Sequence, residues 1–307
     1  MSLETDLLLD RRRLKRRLFV WRSLAVLAAL AAVLVALRGQ HVGLGRSHLA
    51  RLMVSGIITD DRKLNETVTK LADDDSVKAL IVAINSPGGS VAGGEALHDA
   101  IAHVADKKPV VAVMGGTAAS AGYMVAVPAA RIFAREATLT GSIGVLLETG
   151  EVSGLLKSIG VNAEAITSGP LKDQPSFTKP LSPEGREVLQ GLVLDMYDQF
   201  VGMVAGGRHM DPARVRELAD GRAYTGRQAL KLGLVDAIGG EPDARLWLAD
   251  QKGIAADLPV EDVSTSSLAA RAFSSSFGWM FDALWKSLFS QGVILDGTRL
   301  VWQRFGG

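Results

Sequence analysis

Residues 79–84 read Ala-Leu-Ile-Val-Ala-Ile, an apolar run with no polar position inside it. A strand with one wet face alternates polar and apolar residues, so a short unbroken run predicts a strand covered on both faces. Comparable stretches at 51–58, 110–114 and 131–134 predict further strands. Between them, 61–71, 92–105 and 119–127 carry the longer period of helices. Strand and helix taking turns implies βα units around parallel strands, and the predicted fold class is α/β. The pattern then weakens into short strands at 143–147 and 162–167, with a helix at 152–159 between them.

A longer periodic stretch follows. Ser182 is a good helix cap, Pro183 suits the first helical position, and Gly206-Gly207 can end the helix about 24 residues later. Val188, Leu192, Met196, Phe200 and Val204, widened by Leu189, Val193, Tyr197 and Val201, form a stripe broad enough to pack on two sides. One reading buries it within a subunit; the other places it at a subunit interface. Thr225 and Gly233 then bracket a short helix ahead of a strand at 234–236.

Near the start the pattern changes in kind. Residues 18–37 carry one charge, Arg22, and would rise about 30 Å as a helix, matching a membrane core. Arg11, Arg12, Arg13, Lys15, Arg16 and Arg17 precede the segment, which favours a cytoplasmic N-terminus. A cleaved secretory signal is the competing reading, but Val35-Ala-Leu37-Arg-Gly offers no good small-x-small site. The expected layout is a basic N-terminus at 1–17, a single-pass inner-membrane anchor at 18–37, a linker at 38–49 and a periplasmic domain at 50–254. A Ser-rich linker and an amphipathic tail fill 255–307, the tail carrying Phe277, Trp279, Phe281, Trp285 and Phe289. It suits a membrane surface, a neighbouring subunit or ordinary docking.

Composition narrows the chemistry. Lys and Arg total 34 against 33 for Asp and Glu, so bulk charge points to no nucleic-acid partner. The absence of cysteine excludes thiol catalysis and Cys-ligated zinc, and the five histidines show no metal-ligand spacing. Neither a metal nor a cofactor is expected.

One hydroxyl stands out. Ser120 lies among tiny residues in Gly115-Gly-Thr-Ala-Ala-Ser120-Ala-Gly-Tyr123, where a predicted strand passes into a helix. Small residues there let a substrate backbone approach, and the free amides of the new helix can stabilise an oxyanion. A serine needs a base. His98 and His103 sit inside a predicted helix without an evident Asp partner, and a carboxylate base would suit acyl-CoA chemistry that needs no serine. Lysine remains, and Lys172 stands in a turn bounded by Gly169, Pro170 and Pro175. Position alone does not separate it from an ordinary solvated lysine.

Five segments in order carry a resemblance: Asn85-Ser-Pro-Gly-Gly89, Ala118-Ala-Ser120-Ala-Gly-Tyr123, Thr140-Gly-Ser142-Ile-Gly-Val145, Ser168-Gly-Pro-Leu-Lys172-Asp173 and the stretch from Arg222 to Asp236. Together they resemble the signal peptide peptidase A (SppA/SohB) family. The resemblance implies a ClpP/crotonase-like fold of repeated ββα units and a Ser-Lys dyad, with Ser120 as nucleophile and Lys172 as general base. It further implies that the Ser142 hydroxyl orients the lysine, that Gly89 and Ala121 amides form the oxyanion hole, and that Gly88, Tyr123 and Ile143 line the bound substrate. Ala121 stands where the family usually has Gly, and its backbone donor survives that change. A ClpP-type histidine would fall near 143–147, where this chain has none. The implied protein is a membrane-bound serine endopeptidase that cuts hydrophobic peptides such as remnant signal peptides, assembled as a homo-oligomer, a tetramer or octamer. A lysine general base must be neutral, so burial near Ile143, Val145 and Leu171 is expected, with Asp173 turned away. Alternatives are a catalytically silent membrane scaffold of the same fold and a relative with other acyl chemistry.

Overall fold

A computed structural model describes residues 21–23 and 46–264. The expected anchor, except for residues 21–23, and the tail from 265 onward lie outside the described residues. Among the described residues no helix is long and apolar enough to cross a membrane.

Three long strands, β1 (His48–Ile58), β2 (Val77–Gly89) and β3 (Val110–Ala119), form the centre of an eight-stranded sheet. Helices α1 (Arg62–Lys70) and α2 (Val91–Ala105) connect them in turn, so β1, β2 and β3 run parallel. The apolar run of β2 behaves as expected: Ala79, Leu80, Ile81 and Val82 are all fully buried. On one face, Leu80, Val82 and Ile84 pack with Leu97, Ile101 and Val104 of α2. On the other, Ala79, Ile81 and Val111 pack with Ala244 and Leu248 of a late helix.

Beyond Met114, β3 changes partners. Its first half pairs with β4 (Arg131–Ala134) at Val111–Val113, and its end pairs with β5 (Leu139–Gly141) at Thr117–Ala119. Those last pairings extend the strand to Ala119 and shorten the predicted helix 119–127 to the four-residue α3 (Ala121–Met124). The strands expected at 143–147 and 162–167 are absent. β5 takes the sheet position instead, and Ser142, at φ 49°, turns the chain away after it. Residues 146–168 are then mostly exposed, with only the short α4 (Ser153–Ser158) as regular structure.

The long helix α5 (Pro183–Arg208) starts as predicted, with Ser182 Oγ accepting the Gly185 amide at 2.9 Å. Its stripe divides along its length. Phe200, Val201 and Val204 are buried, whereas Val188 is 47% exposed and Leu192 53%. Two short helices follow, α6 (Pro212–Leu218) and α7 (Gly226–Leu232), with β6 (Ala223–Thr225) antiparallel to β5 between them. The cap at Thr225 and the left-handed stop at Gly233 are present as read. Residues 234–236 form a turn, and the strand expected there appears later as β7 (Ala237–Ile238), paired with β4.

The sheet also exceeds the limits 50–254. It begins at His48, and after α8 (Glu241–Lys252) the chain returns as β8 (Val260–Asp262), parallel to Leu49–Arg51 of β1. Val260 packs with the second apolar cluster around Leu49, so this part of the expected linker belongs to the sheet.

Candidate active site

Parallel strands deliver their carboxyl ends to one edge, and there β2 and β3 bring two turns together. β2 ends in Asn85-Ser-Pro-Gly-Gly89. Ser86 is fully buried; its hydroxyl donates to Gly56 O at 2.6 Å and accepts the Gly88 amide at 3.1 Å, which pins the turn. Gly88 has φ +118°, and a Cβ there would lie 2.8 Å from Ser120 Cβ. At Gly89 a Cβ would stand 1.9 Å from Ile58 O. Only glycine permits these two approaches.

Ser120 follows β3 and occupies the position before α3, with φ 53° and ψ −124°. A non-glycine residue in that region is strained, and such strain concentrates where a side chain must be held out for chemistry. Its amide donates to Gly141 O at 2.8 Å, and its carbonyl accepts from Tyr123 and Met124 at 2.8 and 2.9 Å. From residue 118 to 127 every residue but Ser120 is buried. The Ala121 amide opens α3 and makes no hydrogen bond among the described residues. It faces the Gly88 turn: a Cβ on Gly88 would lie 3.3 Å from it.

Ser142 follows β5 immediately, and its amide donates to Arg222 O at 3.0 Å. Lys172 is exposed, in a turn closed by its own amide on Gly169 O at 3.2 Å. Among the described residues its ammonium makes no hydrogen bond or ion pair, and the burial expected around it is not supplied by them. Asp173 does turn to another partner, Lys179, at 3.5 Å. His98 Nδ1 lies 2.9 Å from its neighbour Asp99, and no histidine bonds Ser120 among the described residues.

Two expected substrate contacts need correction. Tyr123 and Ile143 are both 0% exposed, so neither side chain offers a surface to a substrate. The Tyr123 hydroxyl donates to Leu234 O at 2.8 Å, and burial pushes the phenol pKa up. Sequence reasoning missed Ser86 and the Tyr123 tether. Ser86 stood inside a motif whose glycines drew the attention, and a tether spanning 111 residues leaves no local signal.

Fold and site define the class of α/β proteins that present one serine at the carboxyl edge of a mainly parallel sheet. Residues 102–255, half of the chain, match the profile of Peptidase family S49. A candidate protease of Synechocystis sp. is 42% identical over 213 residues, 69% of this chain and 77% of its own. A candidate signal peptide peptidase SppA of Enterococcus faecium is 35% identical over 280 residues, 86% and 79% of the two chains. Protease 4 of Salmonella typhi is 38% identical over 206 residues, 64% of this chain and 33% of its own. Among solved structures, a ClpP1 mutant of Listeria monocytogenes covers 62% of this chain and 91% of its own, at 20% identity and TM-score 0.41. The chain belongs to peptidase family S49, the signal peptide peptidase A family, and is a serine peptidase.

Proposed function

We propose that this peptidase cleaves hydrophobic peptides through a Ser-Lys dyad, with Ser120 as nucleophile and Lys172 as general base. The observation that carries the reading is the left-handed backbone of Ser120 beside the free Ala121 amide and the Gly88-Gly89 turn. Attack by Ser120 Oγ on a peptide carbonyl forms a tetrahedral oxyanion, which the amides of Ala121 and Gly89 would receive. Lys172 takes the serine proton and passes it to the leaving amine; a water activated by the same lysine then releases the acyl group. Ser142 would orient the lysine.

That role requires a neutral amine, and a neutral amine requires burial. A second copy covering the exposed apolar surface of Leu146, Leu147, Val152, Leu171 and Leu192 would supply the missing desolvation, which supports a homo-oligomer as the working form. An anchor at 18–37 would hold the domain at the periplasmic face of the inner membrane, where remnant signal peptides are substrates of suitable chemistry.

Labelling with a serine-reactive fluorophosphonate tests the nucleophile: an adduct on Ser120, lost in Ser120→Ala, is expected. A labelled wild type whose Lys172→Ala variant keeps the full peptidase rate would remove the lysine from the mechanism. Protease treatment of intact spheroplasts tests topology, with a protected catalytic domain counting against it.

A further inference from the structure

A residue outside its ordinary backbone basins relaxes unless its surroundings over-determine it. Upstream, Ser120 is held by the sheet: Thr140 Oγ1 donates to Ala118 O at 2.8 Å and Thr138 Oγ1 to Gly115 O at 2.6 Å. Downstream it is followed by only four helical residues, too few to hold themselves by helix bonds alone. All four are buried, and among the described residues the side-chain hydrogen bond that ties them to a distant element is that of Tyr123, whose hydroxyl grips Leu234 O.

The carbonyl it grips belongs to a turn that is itself clamped. Arg208, the last residue of α5, donates from Nε and Nη2 to Gly233 O at 3.1 and 3.0 Å. The same guanidinium meets Asp236 at both carboxylate oxygens, at 2.6 and 3.0 Å, with its side chain 8% exposed. Asp236 Oδ2 also accepts the Ile132 amide of β4 at 2.7 Å, and the Asp236 amide returns a bond to Ile132 O at 2.9 Å. Sheet, long helix and turn therefore fix the position of Leu234 O before Tyr123 reaches it. Tyr123 itself is sealed from solvent, so no substrate touches it directly.

We propose that Tyr123 is a positioning residue for Ser120, its hydroxyl anchoring the nucleophile turn to the carbonyl that the Arg208–Asp236 pair holds in place. The inference rests on the reading of Ser120 as nucleophile. Without the hydroxyl the ring remains packed, but α3 loses its one hydrogen-bonded stop on Leu234 O, and a small shift there carries the Ala121 amide and the aim of Ser120 Oγ with it. A misplacement of about 1 Å at reacting atoms costs about 100-fold in rate, so a fraction of that shift is measurable.

Tyr123→Phe is the test, in the full-length protein, because it keeps the ring and removes only the O–H. The probes are a fluorophosphonate, for the second-order labelling rate, and a fluorogenic hydrophobic peptide, for kcat and KM. Labelling rate and kcat per titrated Ser120 are both expected to fall about tenfold or more, with KM held within about twofold. Arg208→Lys, which keeps the charge but loses the fork on Gly233 O and Asp236, is expected to move the same two rates in the same direction by less. A merely structural role would lower Tm and leave kcat per titrated serine untouched, and that result overturns the proposal. If Tyr123→Phe does not accumulate as folded protein, Arg208→Lys decides by the same rates. A wild type that labels, with both variants at its rate, overturns this inference alone; a wild type that never labels overturns the nucleophile reading and this inference with it.

Discussion

The chain around Ser120 and the chain around Lys172 follow opposite plans. Residues 118–127 are buried on every side but for the serine, and both of their flanks are tied to distant elements. Residues 142–181 bury only Ile143 and Ser176, and expose Leu146, Leu147, Leu155, Ile159, Ile166 and Phe177. Backbone strain survives only in a dense setting, and around Ser120 the chain supplies that setting itself. A lysine base needs low dielectric around its amine, and among the described residues that surrounding is incomplete. In the proposed dyad, one half of the chemistry would be finished on folding and the other would wait for something to cover it.

The contrast breaks at its two ends with effects of different kinds. Ser120→Ala should lower peptide hydrolysis on the order of 10⁴-fold or more, read with a fluorogenic peptide. Lys172→Ala should lower it about 10²- to 10⁴-fold while circular dichroism and Tm stay at wild-type values, since the side chain is exposed. On the braced side, Asp236→Ala leaves Arg208 buried without its countercharge and should cost about 3–5 kcal/mol in urea unfolding. Gly88→Ala puts a methyl into a left-handed position against Ser120 and should cost about 1–3 kcal/mol, again by urea unfolding, together with most of the labelling rate. Leu192→Asp should change the stability of the isolated subunit by no more than about 0.5 kcal/mol, yet shift sedimentation toward smaller species. Unchanged sedimentation in that variant would remove the exposed stripe from the assembly.

The same contrast explains what was legible in the sequence. Buried runs such as 79–84 and 131–134 announce themselves because each strand must be apolar on both faces, and caps such as Ser182 and Thr225 act within one turn of their own position. The weak stretch 142–168 was misread as two strands because apolar residues there face outward, and periodicity cannot tell a buried apolar position from an exposed one. Ser120 and Gly88 were readable as small residues at a turn. The left-handed backbone of Ser120 was not, since a serine is seldom found there and nothing in its own side chain demands it. The resemblance put Tyr123 on the substrate, whereas the direction of its side chain is set by Leu234, far along the chain.

Helix α5 acts, finally, as a ruler. At one end Gly185 lies against the Gln174 side chain, two residues beyond Lys172; at the other Gly207 lies against Val127. The 26 residues between and including its ends set a span of about 39 Å. A single alanine inserted at exposed Gly191 would lengthen it by only about 1.5 Å but turn its first half by about 100° against its second. Four inserted residues would come back to within about 40° of the original phase at about 6 Å greater length. Each insertion thus changes length and phase together but in different proportions, with no substitution near Ser120.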